Sequence, residues 1–221
     1  MPTSTPTGSG CVSDWAPVAR SPIAAGAPTG SVAEWQVSTR RSNAALTLRD
    51  ETPLAKVGLR APEDGQAARA LGVGHGRAAR DDHGDLVIGS GPGEWLVLRS
   101  VGTAQELMAR LHAATARARD GGELVTVIDL TYARALMRLT GDRACDLLAK
   151  VCGIDFHDDV TPDGAAFRSS VARLVTDVIR DDRDGVRSYL LHCETSSGQY
   201  LFDALLDAGA EFDIDIDGFH H

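Results

Sequence analysis

The sequence predicts an α+β fold of two successive βαββα halves, with antiparallel sheets and helices packed outside them. Three observations predict it. Short runs rich in Val, Ile and Leu read as strands, and between them lie helical runs with apolar residues at three- and four-residue spacing. A second stretch of the chain then repeats the order, and some of the wording, of the first.

Residues 1–42 are rich in Pro, Gly, Ser, Thr and Ala and show no sustained period. Such a segment cannot bury enough surface to offset its ordering entropy alone. Trp15, Ile23 and Trp35 are nevertheless costly to leave in water. The segment therefore reads as an extended, partly disordered N-terminal arm that orders only against something larger, either its own domain or another chain.

From Leu46 the periodicity becomes readable. Leu46 to Arg49 and Ala55 to Arg60 read as strands, with Val57 and Leu59 alternating. Pro62 and Glu63 open a helix that runs to Leu71 and stops at Gly72 and Gly74. Leu86 to Ile88 and Trp95 to Leu98 form a hairpin across Gly89 to Gly93. Thr103 with Glu106 makes a capping box for a helix carrying Leu107, Met108 and Leu111 inward.

Leu124 to Leu130 is a further strand, after which the pattern restarts. Leu136 to Leu139 is a strand, Gly141-Asp142 a turn, and Ala144 to Val151 a helix with Leu147, Leu148 and Val151 on one stripe. Strand material follows in Val171 to Ile179 and Tyr189 to Cys193. Thr195 or Ser196 caps a last helix that ends near Ala208. Met137-Arg138-Leu139-Thr140 parallels Val57-Gly58-Leu59-Arg60, and Ser188 to Leu206 parallels Glu94 to Leu111 in order. Each half reads as a ferredoxin-like unit, the two in pseudo-duplication. The expected organisation is an arm at 1–42, a domain at 43–212 with halves of about 43–120 and 121–212, and an acidic tail at 213–221.

Composition excludes several function classes. Asp and Glu outnumber Lys and Arg 31 to 22, for a net charge of -9, and no long basic run exists. Nucleic acid is not an expected partner. No stretch approaches the length and apolarity of a membrane span, and the first ten residues have neither a basic nor an apolar signal region, so a cytoplasmic protein with no membrane partner is expected. The four cysteines lack a CxxC pairing; Cys145 and Cys152, one heptad apart, read as small core residues.

Motifs that carry chemistry are sparse. Gly72-Val73-Gly74-His75-Gly76 follows a helix where a dinucleotide fingerprint would follow a strand, and Gly89 to Gly93 lacks the Lys-Ser/Thr pair of a phosphate loop. Asp213-Ile214-Asp215-Ile216-Asp217-Gly218 copies the opening of a calcium loop but has no closing Glu, so it reads as a solvated tail. Asp155 to Asp159 gathers carboxylates around His157 at a spacing that matches no ligand motif. His192, beside Cys193 on a strand, reads as a hydrogen-bonded wall residue, with a buried base as the alternative. No catalytic residue and no metal site is assigned.

Gly91-Pro92-Gly93-Glu94-Trp95-Leu96-Val97-Leu98 resembles a segment of the gamma subunit of heterotetrameric sarcosine oxidase. The run from Ile128 to Gly141, with Leu148 to His157 and Arg20-Ser21-Pro22-Ile23, resembles the same family, and the likeness spans roughly residues 15–210. The resemblance implies a fold similar to the folate-binding domain of the glycine cleavage T-protein. It also implies alpha, beta and delta partner subunits, with FAD, FMN, NAD and tetrahydrofolate on those chains and none on this one. The complex so implied oxidatively demethylates sarcosine to glycine, passing the one-carbon unit to tetrahydrofolate or releasing formaldehyde, with hydrogen peroxide as co-product. The chain departs from the family in its long polar N-terminus, the acidic Asp181 to Asp184 and the Phe219-His220-His221 end. A competing expectation is a stand-alone folate-binding or aminomethyltransferase-like protein with a pterin between the halves, for which Asp129 and Glu94 are the candidate cofactor-binding carboxylates.

Overall fold

The structure is a computed structural model that describes residues 17–220. The chain runs β1 (Ala19–Arg20), β2 (Thr29–Val32), β3 (Trp35–Ser38), β4 (Thr47–Asp50), β5 (Ala55–Arg60), α1 (Gln66–Leu71), β6 (Ala78–Arg80), β7 (Leu86–Gly91), β8 (Glu94–Arg99), α2 (Ala104–Ala114) and α3 (Ala116–Asp120). It continues through β9 (Thr126–Asp129), β10 (Arg134–Thr140), α4 (Ala144–Val151), β11 (Ala166–Val171), β12 (Leu174–Arg180), β13 (Ser188–Glu194), α5 (Gly198–Gly209) and β14 (Asp215–Asp217).

Two sheets dominate: a five-stranded one in the order β6-β7-β8-β5-β9 and a six-stranded one in the order β11-β12-β13-β10-β4-β14. Within them only the β14 to β4 pair is parallel. Strand alternation sorts their side chains into layers. Val57, Leu59, Val87 and Val97 pack beneath Leu107 and Leu111 of α2. Met137, Leu139 and Leu191 pack beneath Leu147 and Leu148 of α4 and Leu201 and Leu205 of α5. The opposite faces meet each other, with Leu86, Ile88, Leu96 and Leu98 against Leu136, Ile179 and Leu190. The layer order is thus helices, sheet, sheet, helices.

The order β7-β8-β5-β9 matches the order β12-β13-β10-β4, but the last place is filled differently in each. In the five-stranded sheet it is taken by β9, which follows α2 and α3; in the six-stranded sheet it is taken by β4, which precedes β5. The sheets therefore do not follow the boundary expected near residue 120: β4 lies in the sheet of β10 to β14, and β9 in the sheet of β5 to β8.

Several sequence-based expectations need correction. The part of the arm within the described residues is not simply extended: β1, β3 and β2 form a small sheet, and Trp35 and Val37 are buried in the inter-sheet cluster. Trp15 and the rest of residues 1–16 lie outside the described residues. Nor do residues 213–220, the described part of the expected acidic tail at 213–221, form a solvated tail. Ile214 and Ile216 pack on the α4 and α5 side of the sheet, β14 pairs with β4, and Phe219 is buried. Alternation of Asp with Ile signals a strand as well as a calcium loop, and here the strand prevails.

Helix starts were also misplaced. Thr103 does not cap α2 through its side chain; its hydroxyl donates to the Ser100 carbonyl at 2.6 Å. A 3-10 turn over Thr195–Ser197 delays α5 to Gly198, again without a side-chain cap. The first helix starts at Gln66 and not at Pro62, because Glu123, far along the chain, accepts from the Gln66 and Ala67 amides at 2.5 and 3.2 Å. Its end matches expectation: Gly72 takes the left-handed conformation at φ 68° and its amide donates to the Ala68 carbonyl.

Candidate functional site

Where the sheets diverge beyond their shared apolar layer they leave a slot of about 460 Å³. Leu96, Ile128, Leu130 and Val175 give it apolar walls, and Gly58 on β5 contributes no side chain to it. A ladder of charged groups crosses from one sheet to the other along this slot. Arg60 Nη2 on β5 lies 2.7 Å from Glu94 Oε1 on β8, and Glu94 Oε2 lies 3.8 Å from Arg168 Nη1 on β11. Arg168 then donates through Nε and Nη2 to the two Asp177 oxygens at 2.6 and 3.2 Å. Asp177 Oδ2 in turn faces His192 Nδ1 at 3.3 Å.

Strand pairing builds this ladder. Arg168 is the cross-strand partner of Asp177 in β11 and β12, and Asp177 is the partner of His192 in β12 and β13. Burial pushes the Asp177 carboxyl up, but hydrogen bonds from His192 and Arg168 outweigh it and hold the group below the usual carboxylate range. Burial pulls the His192 imidazole down, with the Asp177 hydrogen bond opposing. Both effects of burial favour the neutral ring, and in that form the proton facing Asp177 sits on Nδ1. Its Nε2 is buried and has no hydrogen-bond partner among the described residues. Arg134 and Glu194 pair with each other beside it, at the edge of the slot.

At the other end of the inter-sheet layer lies a second cavity, of about 320 Å³, over Leu54, Leu86, Leu98 and Leu190. Arg80, Arg99, Arg138 and Arg183 surround it. Asp181 accepts from Arg80, Arg138 and Arg183 at 3.3, 2.9 and 2.9 Å, while Asp85 binds Arg99 and Arg110 at 3.1 and 2.5 Å. Three guanidinium groups thus share Asp181 and two share Asp85, with Glu51 3.5 Å from Arg138 and Asp81 2.8 Å from Arg110.

The two carboxylates proposed for a pterin part company. Glu94 lines the slot, already paired with Arg60. Asp129 sits on β9 and accepts the Thr131 amide at 2.8 Å, outside the slot lining. His192 lines the slot and faces Asp177 through Nδ1. Within Asp155 to Asp159, Asp158 accepts from Arg180 and Arg187 at 2.6 and 2.7 Å, and Asp155 accepts the His157 amide at 2.9 Å. Among the described residues no group of three or more His, Cys, Asp or Glu is placed to hold a metal ion. The Gly72 to Gly76 loop packs against the β7 to β8 hairpin, where Gly76 donates to Gly89. Cys152 and Cys193 are buried, and Cys145 is half-buried with its thiol 3.1 Å from the Tyr189 hydroxyl.

Sequence reading missed Lys56. It is fully buried between the sheets, and its Nζ donates to the Thr52 and Leu54 carbonyls at 2.5 and 2.9 Å. Burial lowers the amine to about 7, with Asp50 and Asp129 opposing. Lys alternating with Val57 and Leu59 reads as a solvent-facing position; only the stacking of a second sheet on β5 makes it interior.

Comparison with known proteins gives these features a context. Residues 83–220 match the family model for the GCVT N-terminal domain. A glycine cleavage system aminomethyltransferase T from Bartonella henselae shares the fold, with a TM-score of 0.67 at 17% identity over 91% of this chain and 60% of that one. The stacked, helix-covered sheets thus define a GCVT-like α+β domain. Sequence narrows the class. The sarcosine oxidase subunit gamma of Corynebacterium sp. (strain P-1) is 30% identical over 175 residues, covering 76% of this chain and 81% of that protein. A chain of the heterotetrameric sarcosine oxidase from Corynebacterium sp. U-96, solved in complex with pyrrole 2-carboxylate, superposes with a TM-score of 0.64 at 27% identity, over 79% of this chain and 89% of that one. The chain belongs to the sarcosine oxidase gamma-subunit family. Among the described residues no helix is long and apolar enough to cross a membrane.

Proposed function

We propose that the chain serves as the gamma subunit of a heterotetrameric sarcosine oxidase, contributing packing surface and no reacting group. The observation that carries this is the likeness to a chain of such an assembly over 89% of that chain's length. On this reading alpha, beta and delta subunits are its partners in the cytoplasm, and FAD, FMN, NAD and tetrahydrofolate reside on them. The assembly oxidises the N-methyl group of sarcosine, yielding glycine and hydrogen peroxide, with the one-carbon unit passed to tetrahydrofolate or released as formaldehyde. A packing role is supported by the site: the Arg, Asp and Glu side chains that line the slot are tied to one another. We read the matching strand orders as two ferredoxin-like copies in pseudo-duplication that exchanged one strand each, β4 for β9.

Co-expression with candidate alpha, beta and delta chains tests the proposal. The expected result is co-elution in size-exclusion chromatography and sarcosine-dependent peroxide formation by the complex, with none by this chain alone. A monomer that ignores those chains, or turnover of sarcosine by the isolated chain, would overturn it. Heat released on titrating the isolated chain with tetrahydrofolate would instead favour a folate-binding protein.

A further inference from the structure

We propose that the slot between the two sheets binds a small, uncharged, largely apolar molecule that donates one N–H or O–H hydrogen bond to His192 Nε2. The slot's volume, about 460 Å³, falls in the range of small-molecule sites, and its mix of apolar walls with a few fixed polar groups is what such sites show. Leu96, Leu130, Ile128 and Val175 supply the walls. At the mouth Ile128 and Val175 remain 53% and 73% exposed, an apolar lip at which the sheets part.

Charge selects against an ionised ligand. Arg60 is held by Glu94, Arg168 by Asp177 and Arg134 by Glu194, so each guanidinium at the slot already has a carboxylate partner and an ionised ligand would compete with it. What His192 lacks is a donor to its second nitrogen. Asp177 fixes the proton of His192 on Nδ1, which leaves Nε2 as an acceptor, and that nitrogen is buried with no partner among the described residues. An unpaired buried acceptor is destabilising, and a group that donates to it recovers the loss. The titratable and charged groups around the ring are Asp177 beside it, Arg134 on β10 and Lys56 from the facing sheet. Both cations favour the neutral imidazole.

Indole and N-methylindole, which differ in the donor, are suitable probes for calorimetry on the full chain, with the His192 ring nitrogens followed by NMR. Indole should bind once per chain and shift Nε2, and N-methylindole should bind at least about tenfold more weakly, the loss expected of one hydrogen bond to a buried acceptor. Indole-3-carboxylate should bind no tighter than indole. His192→Phe should abolish the preference for indole over N-methylindole. Val175→Trp, at the exposed mouth, should block both probes, and it carries the test if His192→Phe fails to fold. Arg99→Gln, at the second cavity, should leave indole binding unchanged. No saturable binding, equal affinity for the two neutral probes, tighter binding of the carboxylate, indole binding retained in Val175→Trp or its loss in Arg99→Gln would each overturn the proposal.

Discussion

The indole of Trp35 lies flat against the ring of Tyr132, with centroids 5.1 Å apart and planes 12° from parallel. This stack fastens the small N-terminal sheet to the turn between β9 and β10, and the Tyr132 hydroxyl reinforces it by donating to Glu34 at 2.7 Å. Trp35 is buried while Tyr132 is largely exposed. Trp35→Ala should therefore cost about 3–5 kcal/mol, the range for deleting a buried aromatic side chain. A double-mutant cycle with Tyr132→Ala should return a coupling of about 0.5–1.5 kcal/mol. Urea denaturation measures both, and a zero coupling would mean that the rings merely lie adjacent.

Lys56 makes stability depend on pH in a defined direction. Its folded value of about 7 lies below the ordinary lysine value of 10.5, so between these limits the unfolded chain binds the extra proton. Stability then rises as pH climbs from about 7 towards 10, and below 7 the cost of burying the charged amine is present in full. Relative to Lys56→Met, the parent should gain up to about 1.4 kcal/mol for each pH unit in that window. Denaturant midpoints of both proteins at several pH values check this. A constant difference between them would show that the amine does not titrate there.

Glu123 acts as a cap delivered from a distant part of the chain. Replacing it with Ala removes the acceptor for the first two amides of α1 and should cost about 1 kcal/mol. Amide exchange at Gln66 and Ala67 should accelerate while that of β10 stays unchanged.

Gly141 has a φ of 141°, and a Cβ there would lie 2.2 Å from the Ala45 carbonyl oxygen. Because the obstruction is backbone, it cannot swing aside as a side chain would. Gly141→Ala should destabilise by about 1–3 kcal/mol or more, read from thermal melts, through the combined cost of strain and displacement of the segment leading into β4.

Phe219 is 5% exposed in the inter-sheet cluster. Phe219→Ala should cost about 3–5 kcal/mol. Deletion of residues 213–221 should cost more, since it also removes β14 and the ion pair of Asp217 with Arg49. A solvated tail would leave the melting temperature where it was.

Local signals made the central elements legible. β5 and α4 lie where expected because Val57 and Leu59 alternate, and because Leu147, Leu148 and Val151 fall on one stripe. What the sequence concealed depends on contacts distant along the chain. β14 is only three residues long and becomes a strand through β4, and the start of α1 is set by Glu123. The site was still less legible. His192 stood out as a strand histidine, but Asp177, fifteen positions earlier, becomes its partner only through cross-strand register. Arg168 and Lys56 carried no motif at all, and stacking of the two sheets is what gives each its role.

The placing of β4 in one sheet and β9 in the other has a consequence for how the molecule is made. Thr47 pairs with Asp215, so β4 waits for residues about 170 positions further on before its sheet is complete. Separations of that size raise contact order and slow folding. Neither half is therefore a self-sufficient fragment. Cleavage of the polypeptide near residue 120 should yield two pieces that regain structure only when mixed, and a nascent chain on the ribosome should stay vulnerable until residues 215–217 emerge.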